Sequence, residues 1–121
     1  MECNTRSAIP GYRRMKSRAE YDLVLQERFI KNKWFAVHIR ENRAGVSRLG
    51  IIVSKRVNAK AVCRNLTKRL VREAFRQAPL TKCALDIVVR SRRPLNHVTR
   101  NEGREALAQL MSDISAKCVT C

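Results

Sequence analysis

The chain has 121 residues, of which 26 are Lys or Arg and 10 are Asp or Glu, so its formal net charge at pH 7 is +16. This excess is too large to serve solubility alone, and it favours a polyanionic partner such as RNA, DNA or an anionic membrane surface. The length fits one domain, and 45% hydrophobic residues suffice for a core. No apolar run approaches the ~18 residues of a membrane span and no secretory signal is visible, so we expect a cytoplasmic protein outside the membrane.

An arm and a short helix are predicted at the start of the chain. Residues 1–12 show no periodic apolar pattern and are expected to form a mobile arm. Ser17 and Glu20 have the spacing of a capping box, which predicts that a helix follows and that it frays near Arg28. One side of this helix carries three apolar residues, spaced three and four apart: Tyr21, Val24 and Leu25.

Three strands are predicted from the apolar pattern. Residues 34–40 alternate as a half-buried strand does, with Phe35 on one face and His38 on the other. Residues 49–54 form a continuous apolar run, which indicates a strand buried on both faces. A third strand is predicted over residues 85–90.

A strongly basic helix is predicted between the second and third strands. A basic connector, residues 55–60, leads into it, and the helix must end before Pro79. At ~100° per residue, one arc carries the polar residues Arg64, Asn65, Lys68, Arg69, Arg72 and Arg76. The opposite side carries Cys63, Leu66, Leu70 and Ala74, with Val71 and Phe75 near the boundary. Glu73 alone balances the cations, so a phosphate-bearing ligand would relieve their mutual repulsion.

The last part of the chain is predicted to be a basic loop and a helix. Residues 91–94 carry two more cations, and Thr99 and Glu102 have the spacing of a second capping box. A helix of about four turns then follows from the spacing of its apolar residues: Ala106, Leu107, Leu110, Met111 and Ile114. We expect one α/β domain over residues 13–117, with a β-α-β crossover around the basic helix and a tail over 118–121.

No catalytic constellation is visible. The ten acids are scattered, and His38 and His97 are far apart with no motif linking them. Cys118 and Cys121 have the spacing of half a zinc site and lack a second half. The residues therefore predict an RNA- or DNA-binding module with no active site, metal or cofactor of its own.

Two segments nevertheless resemble a known signature. Residues 50–56 read Gly-Ile-Ile-Val-Ser-Lys-Arg, and residues 64–75 read Arg-Asn-Leu-Thr-Lys-Arg-Leu-Val-Arg-Glu-Ala-Phe. Together they are similar to the strand and helix that mark the bacterial ribonuclease P protein subunit. The resemblance extends over roughly residues 13–117.

The resemblance implies an α+β, sandwich-like fold. In the family about four strands form a mixed sheet with three helices, and the crossover around the basic helix is left-handed. It also implies a subunit of a ribonucleoprotein endonuclease that removes the 5′ leader of precursor tRNA. The RNA subunit holds the catalytic Mg²⁺, and the protein acts on neither DNA nor membranes.

The resemblance also assigns roles to individual residues. Binding of the catalytic RNA falls to Lys55, Arg56, Arg64, Asn65, Lys68, Arg69 and Arg72. Contact with the substrate leader falls to Tyr21, Leu25 and His38, of which the last two replace aromatic residues of the family. Leu66 replaces a family arginine and extends the apolar row. Asn58 replaces a glycine, and asparagine tolerates a left-handed turn conformation better than most non-glycine residues.

Two alternatives fit the charge alone. One is a ribosomal or general RNA-binding protein without a role in cleavage. The other is a helix-turn-helix DNA-binding protein, against which the strands around the basic helix and the lack of a preceding short helix both count.

Overall fold

The computed structural model describes residues 14–15, 17–27, 29–42, 45–78 and 84–119. Its elements in chain order are α1 (Arg18–Leu25), β1 (Phe29–Lys31), β2 (Phe35–Glu41), β3 (Arg48–Ile52), α2 (Ala61–Gln77), β4 (Leu85–Ser91) and α3 (Arg100–Val119). The strands form one sheet in the order β1-β2-β4-β3, in which β3 and β4 are parallel and the other neighbours antiparallel. The predicted α+β fold with a four-stranded mixed sheet and three helices is confirmed. The predicted arm over residues 1–12 lies outside the described residues.

The first helix starts and the second one ends as the sequence predicts. Ser17 Oγ accepts from the Glu20 amide at 3.1 Å, and Glu20 Oε1 accepts from the Ser17 amide at 3.2 Å. Both halves of the capping box are therefore present. Ala78, which follows α2, has an extended ψ of 140°, as the residue before Pro79 requires. The expected fraying near Arg28 falls outside the described residues.

The prediction of a second capping box is wrong. The Thr99 hydroxyl accepts from the Asn96 amide at 3.1 Å, and Asn96 Oδ1 accepts from the Val98 and Thr99 amides at 2.8 and 3.0 Å. Asn96 thus closes a turn before α3 with its own side chain, a role that asparagine often takes. The helix then continues to Val119, beyond the expected boundary at residue 117, because no Gly or Pro follows Gly103.

One strand was missed by the apolar pattern, and the prediction for another needed correction. The three residues of β1 are too few for an apolar pattern, so this strand was not predicted from periodicity. The strand expected to be half-buried, β2, is buried at its first four residues: Phe35, Ala36, Val37 and His38. Both faces of the sheet are covered there, by α1 on one side and by α2 and α3 on the other.

The main core lies between the sheet and the helices α2 and α3. Its buried residues include Phe35, Val37, Leu70, Val71, Phe75, Ile87, Val89, Leu107, Leu110 and Ile114. Val71 and Phe75 were expected near the boundary of the basic helix and are instead fully buried, whereas Leu66 is only half-buried. The buried row is turned toward Thr67, whose hydroxyl is satisfied because it donates to the Cys63 carbonyl at 2.9 Å.

An ionic network, which we call the Arg48 network, fixes α1 to the sheet. Arg48 Nε and Nη2 donate to the two carboxylate oxygens of Asp86 at 2.8 and 2.9 Å, and Nη1 donates to Glu20 at 2.9 Å. Asn42 Nδ2 donates to the same Asp86 at 2.7 Å. The hydrogen bond to Asp86 raises the pKa of the Arg48 guanidinium above its usual range. The network joins the start of α1 to β3 and β4 at one end of the sheet.

Candidate nucleic-acid interface

The outer face of α2 is a row of cations. Asn65 and Arg69 are exposed, and Lys68, Arg72 and Arg76 are half-buried. Within the described part of the chain, none of these cations forms an ion pair with an acid. The helix thus presents positive charge that its own neighbours do not neutralise, which suits it to bind phosphates.

Arg64 lies apart from this row. Its side chain is half-buried, and Nη1 donates to the carbonyls of Asn58 and Ala59 at 3.1 and 2.9 Å. One guanidinium nitrogen is therefore engaged with the connector between β3 and α2. The helical wheel did not predict this role, because the wheel shows direction on the helix and not the path of the preceding loop.

The connector carries Lys55 and Arg56 on an exposed turn. Asn58 follows and is fully buried, and its side chain bonds to Ser91, the last residue of β4, and to Leu95 in the loop after it. Asn58 does not adopt the left-handed conformation that asparagine tolerates, since no non-glycine residue that the structure describes has a positive φ. Its side chain, and not its backbone, distinguishes it from glycine here.

The connector and the loop after β4 lie at the same end of the sheet. Parallel strands end at the same edge, so the carboxyl ends of β3 and β4 are adjacent. Arg92 and Arg93 are exposed in the second loop. We call the group Lys55, Arg56, Arg92 and Arg93 the basic end, which lies opposite the end that holds the Arg48 network.

The residues assigned to the substrate leader lie on the other face of the sheet, under α1. The strand registers place Phe29, His38, Val88 and Gly50 in one row across the four strands. Tyr21 covers Gly50 so closely that a Cβ there would lie 2.8 Å from its ring, and its hydroxyl accepts from the Ile51 amide at 3.2 Å. Leu25 packs on the same side, in the cluster that contains Val88.

His38 is the most confined of these residues. Its ring is 5% exposed and stacks on Phe29, with 4.8 Å between the centroids, while Phe29 itself is 46% exposed. Neither ring nitrogen has a hydrogen-bond partner among the residues that the structure describes. Burial, and then the charge of Arg90, lower the pKa of His38 from 6.5, against a smaller opposing effect of the Glu27 backbone. The structure therefore brings Tyr21, Leu25 and His38 to one face, away from α2.

The described residues were also searched for a metal site and a membrane segment. No group of three or more His, Cys, Asp or Glu side chains comes together among them. None of the helices they form has the length and apolar character needed to cross a bilayer.

Comparison with known proteins identifies the family. A family model described as Ribonuclease P matches residues 9–115. The chain belongs to the ribonuclease P protein family. The ribonuclease P protein component of Aromatoleum aromaticum is 39% identical over 88 residues, which cover 72% of this chain and 74% of that protein. The component from Azoarcus sp. is 33% identical over 101 residues, which cover 83% of this chain and 84% of that protein.

Solved ribonuclease P proteins share the fold. The Staphylococcus aureus protein superposes with a TM-score of 0.73 and 30% identity, over 84% of this chain and 94% of its own. The Thermotoga maritima protein superposes with a TM-score of 0.64 and 33% identity, over 83% of this chain and 96% of its own. The chain is thus a protein subunit of the ribonucleoprotein endoribonuclease ribonuclease P, with the ribonuclease P RNA as its partner and a role in tRNA 5′ processing. Family membership decides against the general RNA-binding and DNA-binding alternatives.

The lowered pKa of His38 predicts how stability depends on pH. The unfolded chain binds a proton near the ordinary pKa of 6.5, whereas the buried ring stays neutral to a lower pH. The free energy of unfolding should therefore fall as the pH drops through 6.5, where the unfolded chain takes up the proton and the folded chain does not.

Urea unfolding at a series of pH values measures this effect. The variant His38→Phe keeps an aromatic ring beside Phe29 and removes the titration, so it should lose that part of the pH dependence. Identical pH profiles for the wild type and the variant would contradict the assignment.

Proposed function

We propose that the chain binds the catalytic RNA of ribonuclease P through α2 and the connector, and the 5′ leader of precursor tRNA through the α1 side of the sheet. The residues proposed for the catalytic RNA are Lys55, Arg56, Arg64, Asn65, Lys68, Arg69 and Arg72. Those proposed for the leader are Tyr21, Leu25 and His38. The row of cations on α2 that no described acid neutralises is the observation that carries the proposal.

The two faces suit different parts of a nucleic acid. On α2 the side chains are long cations on a rigid helix, which suits the closely spaced phosphates of a folded RNA. On the α1 side an exposed aromatic ring, Phe29, stacks on the imidazole of His38, and the exposed Arg90 lies on the same face. Rings beside a cation suit a single strand, whose bases stack while its phosphates are neutralised.

In this proposal the chain positions the substrate and does not cleave it. The Mg²⁺ ions held by the RNA subunit would supply the hydrolytic chemistry, and the described residues of the protein include no side-chain cluster suited to hold such an ion. The protein binds the RNA and directs the leader along the α1 side of the sheet. The cytoplasm is the proposed location of this activity.

Leader-dependent binding tests the proposal. We expect Tyr21→Ala to weaken binding of precursor tRNA to the reconstituted holoenzyme by at least about fivefold, or about 1 kcal/mol, with mature tRNA unaffected. A loss of about 1 kcal/mol is at the lower end of the range for a base stacked on an aromatic ring. We expect the lower end because Gly50 already covers one side of the Tyr21 ring, so a base can stack only on the other side. Titrations with labelled precursor and mature tRNA measure both affinities.

Tyr21→Phe is the matched control. It keeps the ring and removes only the hydroxyl that accepts from the Ile51 amide, so it should bind both RNAs as the wild type does. A loss of equal size for precursor and mature tRNA in Tyr21→Ala would place Tyr21 away from the leader.

A further inference from the structure

We propose that Asn58 is a positioning residue that fixes the connector against the loop after β4 and thereby holds the basic end in one arrangement for RNA. The inference rests on the proposed function, because it concerns how the RNA-binding cations are presented. Asn58 itself is fully buried and would touch no RNA.

All four polar groups of Asn58 are used. Its side-chain Nδ2 donates to Ser91 Oγ at 3.0 Å, and its Oδ1 accepts from the Leu95 amide at 3.3 Å. Its backbone amide donates to the Ser54 carbonyl at 2.9 Å, and its carbonyl accepts from Arg64 Nη1 at 3.1 Å. The residue is thus bonded to Ser54 just after β3, to α2, to the last residue of β4 and to the loop that follows it.

The link to the second loop continues beyond Ser91. The Ser91 hydroxyl, which accepts from Asn58, donates in turn to the Arg93 carbonyl at 3.2 Å. The Asn58 amide therefore sets the backbone of the loop that carries Arg92 and Arg93. Buried polar chains of this kind are rigid when every member is satisfied.

The same bonds hold like charges together. Lys55 and Arg56 precede Asn58 by three and two residues, and Arg92 and Arg93 follow Ser91 directly. In a chain with a net charge of +16, these cations repel each other, and the bonds of Asn58 link the two loops that carry them. A link formed before binding lowers the ordering cost when phosphates arrive.

The variant Asn58→Ala tests the inference with the full-length protein and the catalytic RNA. We expect the affinity for the catalytic RNA to fall about tenfold, because the cations of the basic end are no longer held in place by Asn58. The slope of log affinity against log salt concentration should become less negative by about one, as for the loss of one phosphate contact. Thermal unfolding establishes that the variant is folded at the assay temperature.

Asn42→Ala is the matched control. Asn42 also bridges two segments through its side chain, to Asp86 and to the Val46 carbonyl, but at the opposite end of the sheet. It should lower stability and leave the salt slope unchanged. Equal salt slopes for Asn58→Ala and the wild type would overturn the inference.

A double-mutant cycle separates positioning from general stability. In a background in which Lys55, Arg56, Arg92 and Arg93 are all replaced by Ala, the basic end has no cation left to position, so adding Asn58→Ala should change affinity for the catalytic RNA by less than about twofold. A further tenfold loss in that background would overturn the inference. If Asn58→Ala does not fold, Ser91→Ala replaces it in the same cycle, since it removes the two bonds of the Ser91 hydroxyl, to Asn58 and to the Arg93 carbonyl, and leaves Asn58 in place.

The two proposals fail in different ways. A wild-type protein that does not bind the catalytic RNA would overturn the proposed function. A wild-type protein that binds it, beside an Asn58→Ala variant with the same affinity and salt slope, would overturn only the inference about Asn58.

Discussion

Replacement of Asp86 by Ala is expected to lower the free energy of unfolding by about 3 kcal/mol. Asp86 is buried and accepts two hydrogen bonds from Arg48 and one from Asn42. Its removal leaves the Arg48 guanidinium with Glu20 as its one remaining carboxylate partner in the Arg48 network. We place the effect at the lower end of the range for buried pairs because the Arg48 side chain is 21% exposed and regains some water.

Urea unfolding of Asp86→Ala measures the loss. Asp113→Ala is the control, because Asp113 is exposed on α3 and, among the residues that the structure describes, accepts from Gln109, four residues away. Its effect should stay within about 0.5 kcal/mol. A loss below about 1 kcal/mol for Asp86→Ala would mean that the Arg48 network contributes little to the attachment of α1.

The double variant Arg69→Ala/Arg72→Ala is expected to weaken binding of the catalytic RNA about 100-fold, or about 3 kcal/mol. Both side chains lie on the outer face of α2, and neither pairs with an acid among the described residues. Two lost phosphate contacts should also make the slope of log affinity against log salt concentration less negative by about 1.5.

Arg18→Ala/Arg40→Ala is the matched control for charge. Both arginines are exposed, and they lie toward the end of the sheet that holds the Arg48 network, away from the basic end. Binding isotherms at several salt concentrations compare the two double variants, which have the same net charge. Equal losses of affinity in the two double variants would show that RNA binding depends on the total charge of the protein and not on the surface of α2.

Features with a local cause could be predicted from the sequence. The capping box of Ser17 and Glu20 depends on residues three apart, and the end of α2 depends on the proline two residues beyond Gln77. The amphipathic character of α2 was also visible, although its buried row was placed about one residue position away from the true one. Family resemblance supplied the strand number and the partner, which periodicity alone did not.

Features that depend on distant partners could not be predicted. Asn58 bonds to residues 33 and 37 positions away, and Arg48 bonds to Asp86 at a separation of 38. No spacing rule links such pairs, because the sheet alone brings them together. The wrong capping box at Thr99 has a local cause instead, because Asn96, three residues earlier, bonds to both the hydroxyl and the amide of Thr99.

Reconstituted cleavage of precursor tRNA tests the central claim most directly. At a low Mg²⁺ concentration at which the catalytic RNA alone is inactive, addition of the protein should restore removal of the 5′ leader, while the protein alone should cleave nothing. The Arg69→Ala/Arg72→Ala variant should need a higher protein concentration for the same activity. Failure of the wild-type protein both to bind the catalytic RNA and to stimulate cleavage at any salt concentration would contradict the account.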